Sequence, residues 1–228
     1  MNASKVLWLD VETTGLYPSK HAIVQLAYIV EIDGEEVHRE VLYAAPDANQ
    51  EITDKALEIT GFTQKEILEW PSQKDLYNRF KKVINRYVDP FDKSDKMFIG
   101  GYNVSFDVDF LRALFKRHGD NYFGSYFWFA TLDPARVAAF LLWTGLIATS
   151  EAQDFKLGTL CTIFGVELNE AHDAMADVEA TRQVAYRMQG TAAPAAAYQA
   201  RAAGAGRRQG AWDAGTAPKA PSKPKKGK

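Results

Sequence analysis

Apolar residues fill the run Lys5-Val6-Leu7-Trp8-Leu9 before Asp10, a pattern suited to a buried strand that closes on polar residues. Ala22 to Ile32 is a second such run, rich in Ile, Val and Tyr. Asp33-Gly34 then supplies a hairpin signal, and Glu36 to Ala44 forms a third strand. Beyond it the period changes. Thr63 with Glu66, and Ser72 with Asp75, have the spacing of helix N-terminal caps, and Leu76, Phe80, Val83, Ile84 and Tyr87 recur on one helical face. Met97 to Gly101 is a short buried strand, followed by a helix from Ser105 to His118 whose inward stripe is Phe106, Phe110, Leu111 and Leu114. Tyr126 to Thr131 reads as a fifth strand. Helices follow over Pro134–Leu146, Lys156–Phe164 (ended by Gly165) and Ala174–Gln189.

Three strands, then helices alternating with two more strands, predict an α/β fold with a mixed sheet flanked by helices. From Gly190 the composition collapses to Ala, Gly, Pro, Lys and Arg, with Tyr198 and Trp212 as the large apolar side chains. Such a segment buries too little apolar surface to offset its ordering entropy. The expectation is one domain over residues 1–189 and a disordered basic tail over 190–228.

Composition sharpens this picture. A chain of 228 residues with 46% hydrophobic content suits a soluble domain with an extension. No apolar stretch approaches the roughly 18 residues that span a bilayer, so no membrane association is expected. The first strand starts almost at once, so no signal peptide is expected. The single cysteine, Cys161, sits among Leu160, Ile163 and Phe164 and reads as a small core residue. That excludes an internal disulfide framework and a cysteine-rich zinc site, and fits a cytoplasmic setting. The net charge of −2 conceals an asymmetry: eight of 27 basic and one of 29 acidic residues lie in 190–228, leaving the body near −9 and the tail near +7. An acidic body argues against a nucleic-acid coat protein and suits an enzyme that concentrates carboxylates to hold cations. The tail's cations can attract phosphates or simply keep a linker solvated.

Three clusters carry candidate chemistry. Asp10 and Glu12 are two residues apart at the end of the first strand, so both carboxylates project from one face. Beside a buried strand they repel unless cations neutralise them; Thr13-Thr14-Gly15 follows as a tight turn with backbone donors. Asp107 falls in the first turn of a helix, where the dipole favours a carboxylate, and acidic residues at that position are common and usually structural. In His172-Asp173-Ala174-Met175-Ala176-Asp177, Asp173 has the position of an N-cap. Asp177 lies about one turn into the helix, and His172 lies on the preceding loop. His21, His38 and His118 have no such company and are expected to be solvated.

Together these motifs resemble the DEDDh family of 3′→5′ exonucleases, over roughly residues 5 to 189. The carrying residues are Asp10-x-Glu12 followed by Thr-Thr-Gly-Leu, Asp107 in Asn-x-x-Phe-Asp form, and His172-x-x-x-x-Asp177. The Asp-Val-Glu-Thr-Thr-Gly-Leu and Ile59-Thr60-Gly61-Phe62-Thr63 segments are most similar to the proofreading epsilon subunits of bacterial replicative polymerases.

The resemblance implies a ribonuclease H-like, five-stranded fold and hydrolysis of phosphodiester bonds at nucleic-acid 3′ ends, releasing nucleoside 5′-monophosphates. It implies a site of Asp10, Glu12, Asp107 and Asp177 holding two Mg²⁺, with Mn²⁺ able to substitute, and His172 as general base. Thr13, Thr14, Leu16 and Phe106 border that site and are candidates to hold the terminal nucleotide, with packing an equal alternative for Leu16 and Phe106. Single-stranded or frayed 3′ ends are the implied partner, for proofreading or end trimming. A DNA polymerase is a further one, although the lysine-rich tail does not align with the epsilon subunit's polymerase-binding segment. RNA 3′-end trimming and a catalytically silent nucleic-acid-binding module are the alternatives. Retention of all five acidic and histidine positions argues against the silent module.

Overall fold

The computed structural model describes residues 4–145, 147, 154–168 and 173–189. His172 and the 190–228 tail lie outside the described residues. Five strands form one sheet: β1 (Lys5–Thr13), β2 (Ile23–Ile32), β3 (Glu35–Tyr43), β4 (Met97–Gly100) and β5 (Phe127–Leu132). The order is β3-β2-β1-β4-β5. β1–β2 and β2–β3 are antiparallel, whereas β1–β4 and β4–β5 are parallel. The first hairpin follows from its turn: Asp33 and Gly34 both take positive φ (52° and 81°), the conformation that matches the twist of paired strands.

Eight helices complete the described fold: α1 (Asp54–Thr60), α2 (Gln64–Leu68), α3 (Gln73–Tyr87), α4 (Ser105–Arg117), α5 (Phe123–Tyr126), α6 (Pro134–Trp143), α7 (Leu157–Phe164) and α8 (Ala174–Met188). The two caps read from sequence are complete capping boxes, Thr63 with Glu66 on α2 and Ser72 with Asp75 on α3. Asp173 caps α8, accepting from the backbone N–H groups of Met175 and Ala176, both at 3.1 Å. α1 and the one-turn α5 were not expected, and α6 ends at Trp143 rather than Leu146. Seven residues with two buried positions are too few to show a 3.6-residue period, so α1 leaves no amphipathic signature.

α3 and α4 cover one face of the sheet, around Leu7, Leu9, Tyr28, Phe80, Phe110 and Phe115. α8 covers the other through Ala174 and Val178 against Trp8, Ala27 and Ile29, and α6 and α7 pack onto α8 around Ala138, Leu160, Cys161 and Val184. With both faces covered, β2 is buried along nearly its whole length, which explains its continuous apolar run. A polar clamp also fixes α8 to the sheet. Buried Arg182 donates from Nε to Glu31 at 2.6 Å, and Tyr186 donates to the same carboxylate. Cys161 is in the core, where burial and then the charge of Asp177 push its thiol up to about 11. It stays a neutral thiol.

Candidate active site

Val6 to Leu9 are buried on β1, while Asp10 and Glu12 are only partly covered and alternate with buried Val11 and Thr13. β4 pairs with β1 only from Val6 to Trp8. Past that point the β4-side edge of β1 is open, and α4 delivers a carboxylate to it: Asp107 Oδ1 accepts the Val11 N–H at 3.0 Å. Asp107 is 4% exposed. Asp177, half-buried on α8, comes from the opposite layer.

The electrostatics show that the four carboxylates converge. Asp10 is held well above the usual carboxylate range, first by burial and then by the charges of Asp107, Glu12 and Asp177. Asp107 is raised to about 8 by burial, against the hydrogen bond from Val11, with Glu12 and Asp133 adding to the rise. A charge-rich, partly desolvated cluster of this kind is stabilised by protons or by cations. The donors are all hard oxygens, the set preferred by Mg²⁺ and Mn²⁺ rather than by soft metals. Among the described residues no three His, Cys, Asp or Glu side chains close up as a ready-made cage around one ion.

Next to Glu12 lies a pocket of about 550 Å³ whose lining includes Thr13, Leu16, Tyr17, His21, Ile59 and Phe106. Leu16 (71% exposed), Tyr17 (63%) and Ile59 (53%) give it an apolar rim, suited to a planar base. Thr13, Leu16 and Phe106 thus line one pocket together with Glu12. Thr14 is absent from the lining. It is buried, its hydroxyl accepts the Ala22 N–H at 2.9 Å, and its carbonyl accepts from the Thr53 N–H and hydroxyl. It ties the end of β1 to the cap of α1. Tyr17 was missed in the sequence because a lone exposed apolar residue carries no signal, and Ile59, part of a segment that carries the resemblance, was not placed at this pocket because α1, which presents it, was not recognised. A second pocket, of about 850 Å³, has Tyr102, Asn103, Lys156 and Asp177 in its lining.

The expectation that the other histidines are solvated fails for His21, while His38 and His118 are half-buried. His21 is 3% exposed, its Nδ1 accepts the Tyr17 N–H at 2.9 Å, and a Cβ on Gly15 would come within 2.4 Å of its Nε2. Gly15 is required by this approach. His118 stacks on Tyr77 at 4.9 Å and is lowered by burial, and His38 packs on Tyr28 beside Glu40. Each imidazole serves as an apolar plate as well as a polar group, which isolated position in sequence does not reveal.

Residues 7–185 match the exonuclease family RNase_T. The chain belongs to this exonuclease family. Its similarity reaches the PolC-type DNA polymerase III of Halalkalibacterium halodurans, 29% identical over 185 residues, covering 81% of this chain and 11% of the polymerase. The PolC-type enzyme of Bacillus subtilis is 27% identical over 180 residues, covering 78% of this chain and 11% of the polymerase. Among solved structures, E. coli exonuclease I in a zinc-bound complex with single-stranded DNA superposes with a TM-score of 0.67 at 27% identity, over 83% of this chain and 41% of that one. The same enzyme with a dT13 oligonucleotide gives 0.64 at 26% identity, over 86% and 43%. This exonuclease domain therefore spans less than half the length of these relatives. It is of the DnaQ-like 3′→5′ exonuclease class that its motifs resemble, with the ribonuclease H-like sheet, and the class implies dependence on a divalent metal. No helix among the described residues is long and apolar enough to cross a membrane.

Proposed function

We propose that this protein removes nucleotides from DNA 3′ ends by hydrolysis, releasing nucleoside 5′-monophosphates, in proofreading or end trimming. The observation that carries the reading is that Asp107 from α4, Glu12 from β1 and Asp177 from α8 all lie near enough to Asp10 for their charges to raise its carboxyl. Those four residues would hold two Mg²⁺ ions, Mn²⁺ substituting. Bound there, the cations would stabilise negative charge on the attacking and leaving oxygens of the phosphodiester.

The chain's own residues do the rest. The pocket beside Glu12 takes the terminal nucleotide, with Leu16, Phe106 and Tyr17 against its base and Thr13 near its sugar. Thr14 acts indirectly, by fixing the turn that carries Thr13 and Leu16. His172, just before α8 in sequence, takes the proton from the attacking water; a free imidazole titrates near ~6.5, which suits that task near neutral pH. DNA is favoured over RNA because the superposed exonuclease I structures hold single-stranded DNA. A polymerase partner is suggested by the PolC-type relatives, in which a matching segment is part of the polymerase chain.

One experiment tests the reading: 3′-labelled and 5′-labelled single-stranded DNA and RNA of one sequence, incubated with Mg²⁺ and resolved on a gel. The expected result is immediate release of mononucleotide from the 3′ label and a shortening ladder from the 5′ label, on DNA faster than RNA. Preference for RNA would move the enzyme to RNA trimming. Undiminished hydrolysis in EDTA would remove the metal mechanism.

A further inference from the structure

Two pockets border the carboxylate cluster, and the proposed reaction uses one of them for the terminal nucleotide. Glu12 lines that smaller pocket and Asp177 lines the larger, of about 850 Å³, and the charges of both raise the carboxyl of Asp10. The approach to α4 divides the two. Asn103 takes a positive φ of 51°, its N–H donates to Asp133 Oδ1 at 3.2 Å, and its carbonyl accepts the Phe106 N–H at 3.3 Å. Asn103 borders the larger pocket and Phe106 the smaller. A strand whose 3′-terminal nucleotide fills the smaller pocket brings its scissile phosphate to the carboxylates. The adjoining nucleoside, which is the leaving group, then needs room on the Asp177 side.

The larger pocket has the walls for it. Tyr102 packs beside Leu160 and Cys161, and its hydroxyl donates to the Phe155 carbonyl, which fixes the ring. Burial, then the charges of Asp133 and Asp154, hold this phenol above its ordinary range, so the proton stays in that bond. A fixed aromatic ring stacks on any base, because every base offers a π-face. Lys156 is the one cation among the described residues of this lining. Its side chain is 83% exposed, and its ion pair with Asp154, itself 42% exposed, is 3.5 Å long. Such pairs in water contribute little. Asp154 does not depend on this one, because its Oδ1 accepts the Thr159 hydroxyl at 2.5 Å and the Lys156 N–H at 3.0 Å. The ammonium can therefore turn to a phosphate without stranding a carboxylate.

We propose that Lys156 binds the phosphate on the 5′ side of the leaving nucleoside, whose base lies against Tyr102. The enzyme would then select for a leaving group that is itself phosphorylated, as it is in every chain longer than a dinucleoside. The inference rests on the terminal nucleotide occupying the pocket beside Glu12.

Three substrates separate the two pockets. The nitrophenyl ester of thymidine 5′-monophosphate has no leaving nucleoside, dTpdT has one without the upstream phosphate, and pdTpdT has both. Initial rates with Mg²⁺ are compared for the unaltered protein, Lys156→Ala and Lys156→Arg. The unaltered protein and Lys156→Arg should favour pdTpdT over dTpdT by about ten-fold in kcat/KM, through KM. Lys156→Ala should lose that preference and fall by no more than about two-fold on the nitrophenyl ester. A preference that survives in Lys156→Ala, or is missing from the unaltered protein, would overturn the proposal. So would an equal fall on all three substrates, which would place the effect of Lys156 on the carboxylate cluster. A second readout needs no turnover: anisotropy of a labelled oligothymidylate in Ca²⁺ at several salt concentrations. Losing one phosphate contact in Lys156→Ala should reduce the slope of log K against log salt by about 0.7, and an unchanged slope would overturn the proposal. If the unaltered protein cleaves none of the three substrates, the exonuclease reading fails, and the salt slope still decides the role of Lys156.

Discussion

Replacing Asp107 with Asn should make the metal-free protein more stable at pH 8, and the reason lies in its position. The carboxyl is raised from an ordinary 3.8 to about 8 in the folded state. Between those values the folded chain keeps a proton that the unfolded chain has released, so stability falls as pH rises through this window. It is fully present below about pH 4 and lost above about pH 8. Each unit is worth about 1.4 kcal/mol, so the loss from pH 5 to pH 8 is on the order of 4 kcal/mol. Asn cannot titrate, yet its carbonyl oxygen can still accept the Val11 N–H that Asp107 accepts at 3.0 Å. The variant should therefore show a shallower profile, keeping the slope that Asp10, raised first by its own burial, still contributes. Glu40 behaves oppositely: its burial is outweighed by hydrogen bonds from His38, Tyr28 and Arg79, which hold it down to about 2. Its contribution is lost only in strong acid, outside the chosen range. Urea denaturation followed by circular dichroism, in EDTA at pH 5, 6.5 and 8, reads the difference directly. Parallel curves for the two proteins would refute the argument, and Mg²⁺ at pH 8 should restore stability to the unaltered protein more than to the variant.

Asp10→Asn, Glu12→Gln and Asp177→Asn should each lower single-turnover cleavage on the order of 10²-fold or more without lowering the melting temperature; near-normal cleavage by the Asp10 variant would remove it from the site. His172→Ala should slow cleavage by about 10²–10⁴-fold and abolish the rise of rate with pH around ~6.5, and an unchanged pH profile would exclude it as the base. Gly15→Ala places a Cβ within 2.4 Å of His21 Nε2, which should cost about 1–3 kcal/mol of stability and raise KM; an unaltered melting temperature would show that the turn yields freely. Because unpairing a terminal nucleotide costs a few kcal/mol and less at a mismatch, initial rates on labelled hairpins should fall from single-stranded to mismatched to matched 3′ ends, and equal rates would contradict a site that holds a frayed strand.

Much of the framework was legible in the sequence because it rests on interactions between near neighbours. The Asp33-Gly34 hairpin, the capping boxes at Thr63 and Ser72, and the Asp173 cap each depend on residues within three or four positions of one another. Alternation on β1 likewise put Asp10 and Glu12 on one face. What the sequence alone left open was which distant groups meet. Asp107 in a first helical turn read by itself as an ordinary structural residue until β4 stopped short and left the Val11 N–H to it, across ninety-six residues. Asp177 joined Asp10 only because α8 crosses the other face of β1, held there by a buried Glu31–Arg182 pair that no local pattern announces. The histidines and α1 were misread or missed for the same reason: a stacked imidazole or a two-turn helix takes its stability from whatever packs against it. Local chemistry therefore set the elements and their ends. The pairing of β1 with β4 and the layering of α4 and α8 decided that four carboxylates would share one field, since convergence of charge is a property of topology.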